Sequence, residues 1–392
     1  MGLSKLTVNV GKDGLGRRPP NEDKISGLLF FSTLPAGFSS SDRVKKVFQL
    51  QEAEDLGITV ALFPVHHYHI SEYFRGNPEG ELWVGIYAVP GGSYTFAEIE
   101  SMVKAAAGEI RQLGVYAGAL TYASSQVTTI QGIINAIDGD AYKQFQVLYG
   151  ANMEAITPVS GWSTVGDLRA LNAPDVRVVA AQDGSGVGAA LYVSQSQSIT
   201  CLGLAIGMLS RCRVNDSIGY PIEFNLSDGV EMEVPALANN DQWDDLTPTA
   251  LGGIKDDGYL IALKRIPDMG GTFFDRVPSA VPATSDYAFI ENRRVVQKAI
   301  RYIRKALVPE LNATLFLNAD GTLRNDTVGY FQDKGQDQLD FMLADEEISA
   351  GKCLVNPAQN VLSTSTLVVT IKIVPTGIAE EIVVNIGLVT SL

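Results

Sequence analysis

Two stretches at the end of the chain alternate in the way that β-strands do, and they constrain the fold more than any other feature. In the first stretch every second residue is apolar: Leu367, Val369, Ile371 and Ile373. The second stretch repeats the pattern: Ile382, Val384, Ile386 and Leu388. Such alternation predicts half-buried strands. The connector 375–380 is too long for a two-residue hairpin, so the last strand can pair with an edge of its own sheet or of a neighbour's.

The beginning of the chain predicts an arm over residues 1–24. Leu6, Val8 and Val10 alternate as in a short strand, and the glycines and prolines of 11–20 then interrupt regular structure. One interpretation is a terminus that adds an edge strand to its own sheet. The other is a strand that pairs with a different chain.

Strands and helices alternate between these two ends, which predicts an α/β fold with a largely covered sheet. We predict strands at 27–33, 58–63, 81–89, 115–122, 145–149, 176–182 and 259–263. We predict helices at 42–56, 66–74, 96–113, 126–142, 164–171, 198–210, 287–308 and 335–343. The loop-like residues 268–285 divide the chain into an outer α/β region at 25–280, with room for two subdomains, and an inner domain at 281–374. Residues 375–392 form a C-terminal arm.

Composition excludes several classes of protein. The chain has 44 acidic and 30 basic residues and a net charge of −14, so we expect no direct binding of nucleic acid. Its apolar runs are too short for a membrane span, and the first ten residues carry no signal peptide pattern. Three widely separated cysteines fit neither a disulfide framework nor a zinc site, which favours a reducing site of synthesis.

Three groups of residues are candidates for a chemical site. His66, His67 and His69 lack a ligand at a matching spacing nearby, apart from Glu72. The glycine cluster 184–189 lacks the G-x-G-x-x-G spacing and predicts a flexible loop. A set of aspartates predicts a solvated surface: Asp241, Asp244, Asp245, Asp256 and Asp257. We therefore predict no catalytic residue, no metal and no cofactor.

The predicted helix 290–308 has an unusual charge distribution. One stripe is basic, with Arg294, Lys298, Arg301 and Lys305. The opposite side is apolar and is expected to face the core, with Val296, Ala299, Ile300, Ile303 and Leu307. The basic stripe is either a solvated surface or a docking face for an acidic partner.

These features resemble contractile tail sheath proteins of bacteriophages and phage-like contractile injection systems, and in particular a divergent sheath-like group. The resemblance rests on DYAFIENRRVVQKAIRYI at 286–303 and VTIKIVPTGIAEEIVVNIGL at 369–388, with weaker support from VNVGKDGLG at 8–16. This resemblance covers the arm and the last 110 residues, whereas the residues between them carry little of it.

The resemblance implies a sheath-like fold whose two arms lend strands to neighbouring subunits. The donated strands would be Leu6, Val8 and Val10 at one end, and 382–388 at the other. Linkers 11–20 and 375–379 would act as hinges. The stripe of Arg294, Lys298, Arg301 and Lys305 would face an inner tube.

The resemblance also implies a function and a set of partners. Subunits would form hexameric rings that stack into a helical tube around the inner tube, and contraction would drive the inner tube through a target envelope. Other partners would be baseplate and terminator or cap proteins. The subunit would be assembled in the bacterial cytoplasm into a virion tail or contractile particle. Two alternatives stay open: a metabolic α/β enzyme, and another structural protein of a tail or assembly.

Overall fold

A seven-stranded sheet forms the centre of the larger part of the molecule. The computed structural model describes residues 22–141, 143–265, 270–386 and 388. The strands of this part are β1 Ile25–Phe31, β2 Val44–Val47, β3 Glu81–Tyr87, β4 Gln112–Thr121, β5 Gln146–Asn152, β6 Val176–Val179, β7 Ala181–Asp183, β8 Pro235–Leu237, β9 Tyr259–Leu260, β10 Ala262–Leu263 and β11 Phe273–Phe274. Its helices are α1 Leu50–Asp55, α2 Pro64–Gly76, α3 Glu98–Ala105, α4 Ser124–Ala141, α5 Val187–Gln195, α6 Leu202–Arg211 and α7 Pro248–Asp256.

The order of the strands in this sheet is β2-β3-β1-β4-β5-β6-β9. All neighbours are parallel except β2, which runs antiparallel to β3 at the edge. Helices cover both faces, which explains the nearly continuous apolar run of β1. Leu28 and Phe30 contribute to the core on the side of α2 and α6, and Leu29 to the core on the side of α3 and α4.

Helices α2 and α6 lie unusually close together. A methyl group at Gly207 would collide with the backbone carbonyl oxygen of Tyr73, and one at Gly203 with that of His69. The absence of a side chain at these two positions therefore sets the distance between the helices.

The C-terminal part has its own smaller cores. It contains α8 Ile290–Leu307, α9 Asn325–Ala344, β12 Ile348–Val355, α10 Val361–Thr364 and β13 Val369–Pro375. The strands β12 and β13 form a two-stranded antiparallel sheet. Helix α9 packs on β12, where Gly335 allows the thiol of Cys353 to approach the helix closely. Val295, Leu339 and Ile348 are among the residues that form the core between α8, α9 and this sheet.

The α/β fold class with a mixed sheet flanked by helices is confirmed, but several predicted elements are wrong. The predicted helix 42–56 is divided into β2 and α1, because Val44 pairs with Gly85 at the sheet edge. The predicted strand 58–63 is a series of turns. The predicted helix 96–113 ends at Ala105, because Ala107 and Gly108 have positive φ angles of 50° and 72°.

In the C-terminal part, one strand was missed and one helix was predicted too short. Helix α9 has 20 residues where only 335–343 were predicted. The strand β12 escaped prediction because its sequence, ISAGKCLV, lacks apolar alternation in its first half. The prediction for β13 placed it correctly, whereas residues 376–386 pair with no strand of the described chain. None of the described helices is long and apolar enough to cross a membrane.

Candidate assembly surfaces

A groove with apolar walls runs beside the outer edge of β13. Its volume is about 590 Å³. One wall is the α8 face that carries Val296, Ile300, Ile303 and Leu307, and the other is formed by Ile371 and Ile373 of β13. Within the described chain, β13 pairs with β12 alone, so the backbone groups on its other edge are available to a further strand.

A second groove of about 570 Å³ continues the first toward the start of β13. The two share Leu307 and Leu311, and the second is also lined by Leu367 and Val369. Together they follow β13 from 367 to 373, a length of about 20 Å for an extended chain. An additional strand of about seven residues would fit along this edge, with every second side chain directed toward α8.

The C-terminal segment has the composition of such a strand and leaves its apolar side chains in solvent. The exposed fractions are 81% for Ile382, 70% for Val384, 89% for Ile386 and 101% for Leu388. Contiguous exposed apolar residues of this kind mark interaction surfaces in soluble proteins. Leu6, Val8 and Val10 lie outside the described residues.

The predicted basic stripe of α8 is not a free surface. Arg294 is 5% exposed and Lys298 is 6% exposed. The guanidinium of Arg294 donates to the backbone oxygens of Leu209 at 2.8 Å and Arg213 at 3.1 Å. The prediction that these two residues face a tube is wrong, because they bind groups of the chain itself. The exposed residue of the stripe is Lys305, while Arg301 is half-buried.

Lys298 belongs to a buried ionic cluster that we call the junction cluster, formed by Asp23, Lys298, Arg301 and Glu347. The Lys298 ammonium lies 2.8 Å from Asp23 Oδ2 and 2.5 Å from Glu347 Oε1, and Arg301 lies 2.5 Å from Asp23 Oδ1. Burial disfavours the charged lysine, but the two carboxylates outweigh burial and raise its pKa. Arg301 and Lys298 likewise outweigh burial at Asp23 and lower its pKa.

The apolar face of α8 was expected to pack in the core, and this expectation is also largely wrong. Ala299 is buried, whereas Val296, Ile300, Ile303 and Leu307 are half-buried and line the groove. The cationic face of α8 is covered and most of its apolar face lines the groove, the reverse of the prediction, because Asp23 and Glu347 attract the cationic side chains inward. Helical periodicity identified the faces, but the positions of distant carboxylates decided which one is covered.

The histidine group does not form a site for a metal in the described chain. His66 Nε2 lies 2.9 Å from Ser32 Oγ, and His67 Nε2 lies 2.8 Å from Glu54 Oε1. His69 is fully buried, and burial lowers its pKa to about 3. No cluster of three or more potential ligands occurs among the described residues.

The glycine cluster differs from its prediction, since α5 begins directly after Gly186. The amide groups at this helix start are bound by carboxylates of the chain itself. Glu231 Oε2 accepts from the Val187 amide at 2.9 Å, and Asp183 Oδ1 accepts from the Ser185 amide at 2.9 Å. The place where a nucleotide phosphate would bind is therefore taken by carboxylates.

One aspartate of the predicted solvated set is structural. Asp241 is buried, and its carboxylate accepts hydrogen bonds from the Val159 amide at 2.8 Å and from Trp162 Nε1 at 3.1 Å. The prediction of a surface position was wrong for Asp241, since proximity in sequence to exposed acids does not report tertiary contacts.

Comparisons with known proteins agree with this architecture. Residues 286–392 match the family described as DUF2586, C-terminal domain. No curated protein matches the chain. Among solved structures, the chain is similar to one from the helical sheath of the anti-feeding prophage in its contracted state, with 14% identity, a TM-score of 0.63 and coverage of 99% of each chain.

Two further structures show the same likeness. A chain from the baseplate of the anti-feeding prophage is 14% identical, with a TM-score of 0.62 and coverage of 98% of this chain and 99% of that one. The sheath tail protein from Listeria innocua is 9% identical, with a TM-score of 0.51 and coverage of 90% and 95%. The chain therefore has the fold of contractile tail sheath proteins. The description of the family model that matches its last 107 residues names a domain and no function.

Proposed function

We propose that this protein is a structural subunit of a contractile sheath, and that its subunits are joined by strands donated between copies. The observation that carries the proposal is a match between two features of the described residues: an apolar C-terminal segment that pairs with no strand, and an apolar edge of β13 that no described strand covers. The donor segment 382–388 and the acceptor edge 367–373 each have seven residues and four apolar side chains on one face. The proposal assigns no chemical reaction to the chain.

Burial of the donor side chains would supply the stabilisation of each connection. A fully buried Ile, Leu or Val side chain contributes about 1.5–3 kcal/mol relative to exposure. Four such side chains contribute about 6–12 kcal/mol before the loss of chain entropy is subtracted. Backbone hydrogen bonds along β13 would add orientation. A connection of this kind survives rotation of the subunit bodies when the arm itself can bend.

The N-terminal arm enters the proposal as a second donor, with Leu6, Val8 and Val10. We propose the same partners that the resemblance implies: further copies in hexameric rings, an inner tube, a baseplate and a terminator or cap protein. Assembly in a bacterial cytoplasm into a tail or injection particle is part of the same proposal.

Contact with an inner tube requires a surface other than the buried part of the α8 stripe. Lys352 and Lys372 are directly opposite each other on β12 and β13, and both are exposed. Like charges in this position repel each other, so an acidic partner surface would stabilise them. We include these lysines and Lys305 as the tube-facing candidates. Cosedimentation with the tube protein at low salt should weaken for Lys352→Glu/Lys372→Glu; unchanged binding would exclude this face.

The experiment for strand donation compares two substitutions in the arm. In a docked strand Val384 faces the groove and Val383 faces away from it. Both are exposed in the isolated chain, at 70% and 71%, so neither substitution should affect folding. Val384→Asp should abolish rings or tubes in negative-stain microscopy and sedimentation, whereas Val383→Asp should assemble. Equal behaviour of the two variants would refute the docking of this face. A chain without residues 381–392 should behave as Val384→Asp.

A further inference from the structure

The folded body holds each arm at a residue that we call its root. The root of the N-terminal arm is Asp23, which lies in the short 3-10 helix Glu22–Lys24 directly before β1. The root of the C-terminal arm is Thr376, the first residue after β13. Both side chains contact the body, and their contacts meet at the turn 345–347, which joins α9 to β12.

The N-terminal root is attached to this turn through the junction cluster. The carboxylate of Asp23 lies 2.8 Å from the ammonium of Lys298, which also contacts the carboxylate of Glu347 in the turn. The backbone carbonyl oxygen of Asp23 accepts a hydrogen bond from Gln112 Nε2 at 3.0 Å. Gln112 is buried and is the first residue of β4. Asp23 is therefore held by the sheet and also by α8 and the turn.

The C-terminal root is attached to the neighbouring residue of the same turn. The buried side chain of Asn215, which lies after α6, donates through Nδ2 to two acceptors. These are the Glu346 carbonyl oxygen at 2.9 Å and Thr376 Oγ1 at 3.1 Å. Ile348 and Pro375, the residues next to the turn and to the root, are paired across β12 and β13. Thr376 therefore lies beside the turn in space.

The turn itself is fixed by the end of α9. The amide of Glu346 donates to the carbonyl oxygen of Leu343 at 3.0 Å, and that of Glu347 to the carbonyl oxygen of Met342 at 2.9 Å. Backbone hydrogen bonds of this kind are typical of helix C-termini. Glu346 binds one root through Asn215, and Glu347 binds the other through Lys298. The two roots are thus connected through two consecutive residues of one rigid turn.

A buried ionic cluster contributes more to geometry than to stability. The cost of removing its charges from water offsets much of their attraction, so neutral replacements of similar volume are often as stable. The pairing nevertheless imposes one arrangement, because the ammonium of Lys298 must meet Asp23 and Glu347 at the same time. The position of the N-terminal root relative to the turn is the property that this arrangement controls.

We propose that the junction cluster, together with Asn215, is a positioning device that fixes both arm roots relative to each other, so that the two donated strands leave every subunit in the same directions. This inference rests on the proposed strand donation. Asp23, Lys298 and Glu347 act as positioning residues, since none of them lies in a donor strand or lines the groove. An arm that starts from a fixed root loses less freedom when its strand docks, which favours assembly.

The first test measures the geometry of the roots in the monomer. The full chain carries spin labels near the two roots, at Lys24→Cys and Ala379→Cys, and pulsed electron paramagnetic resonance gives the distribution of distances between them. The three native cysteines are buried, so labelling is confined to the introduced thiols. Lys298→Met/Glu347→Gln should broaden this distribution about twofold, because the roots lose their shared constraint. Asp23→Asn, which preserves the shape of the side chain, should broaden it as well.

The second test measures assembly and includes a control for lost stability. Ile99→Val removes a methyl group from the core at the start of α3, near the carboxyl ends of the strands, whereas Asp23 precedes the first residue of β1. Both variants are compared with the wild type by sedimentation velocity, at a temperature at which circular dichroism shows all three to be folded. Lys298→Met/Glu347→Gln should need an about tenfold higher protein concentration for half-maximal assembly. Ile99→Val should assemble as the wild type does and keep its distance distribution.

Two results would overturn the inference. One is a distance distribution that keeps its width in Lys298→Met/Glu347→Gln and in Asp23→Asn. The other is assembly of Lys298→Met/Glu347→Gln at the same concentration as Ile99→Val, since the cluster would then act on stability alone. A chain ending at residue 380 that assembles normally would instead refute C-terminal strand donation itself. The two failures are therefore distinguishable.

Discussion

The junction cluster provides a quantitative test of how the C-terminal part is joined to the sheet. Lys298→Met removes the ammonium that contacts Asp23 and Glu347. Asp23 keeps its contact with Arg301. Glu347 keeps no cation within ion-pair distance among the described residues, and its side chain is 5% exposed. The substitution therefore leaves one buried carboxylate without compensation.

The magnitude of the effect is limited by protonation of Glu347. Burial already raises the pKa of Glu347 from its ordinary value of 4.5, while Lys298 opposes that rise. Without Lys298 the folded chain can bind a proton at Glu347, at a cost of about 1.36 kcal/mol for each pH unit above the ordinary pKa. The loss of folding free energy from Glu347 is therefore at most about 3.4 kcal/mol at pH 7 and about 1.4 kcal/mol at pH 5.5. We expect a loss of about 3 kcal/mol at pH 7 that diminishes as the pH falls.

The assay is urea denaturation followed by circular dichroism, at a protein concentration below that of assembly. Lys305→Met is the control, because Lys305 is an exposed lysine of the same helix and should change the free energy of unfolding by less than about 0.5 kcal/mol. Lys298→Met/Glu347→Gln should recover part of the loss. A deficit below about 1 kcal/mol at pH 7, or one that is equal at pH 5.5 and pH 7, would refute the reasoning.

Three further substitutions test other parts of the fold. Gly207→Ala should lower the free energy of unfolding by more than about 2 kcal/mol, because the new methyl group collides with the backbone of α2. Gly132→Ala on α4 meets no atom within 4 Å and should raise it by about 0.5–1 kcal/mol. Thermal unfolding distinguishes the two variants, and equal effects would contradict the close packing of α2 and α6. His69 is buried with a pKa lowered to about 3, so the unfolded chain binds its proton first and stability falls as the pH drops below about 6.5. His69→Phe should reduce the slope of the free energy of unfolding against pH by the equivalent of about one proton. An unchanged slope between pH 6 and pH 4.5 would contradict the uptake of a proton by His69 on unfolding.

Local sequence was sufficient to predict those strands whose pattern of apolar residues matches their burial in the fold. The alternation at 367–373 identified β13, and the apolar run at 27–33 identified β1, because both are decided by period and composition. Element ends were less predictable. Residues 42–47 have the periodicity of a helix start, but the open edge of β3 offers backbone hydrogen bonds that only the assembled sheet can supply.

The arms illustrate a second limit. The alternation at 382–388 predicts a strand, yet residues 382–386 and 388, the ones that the structure describes there, pair with no strand of the described chain. A strand needs a partner edge, and none of the described strands pairs with this segment. The pairing of Leu6, Val8 and Val10, the division at 281 and the choice of neighbour remain predictions.

The sequence by itself determined that α8 has one cationic and one apolar face, because side-chain direction on a helix follows from 3.6 residues per turn. Only the tertiary structure decided which face is covered. Asp23 and Glu347 are distant from α8 in the chain, yet their carboxylates hold Lys298 inside and leave Ile300 and Ile303 beside an open groove. Charge pairing over such separations depends on the folded path of the chain, which local periodicity does not contain.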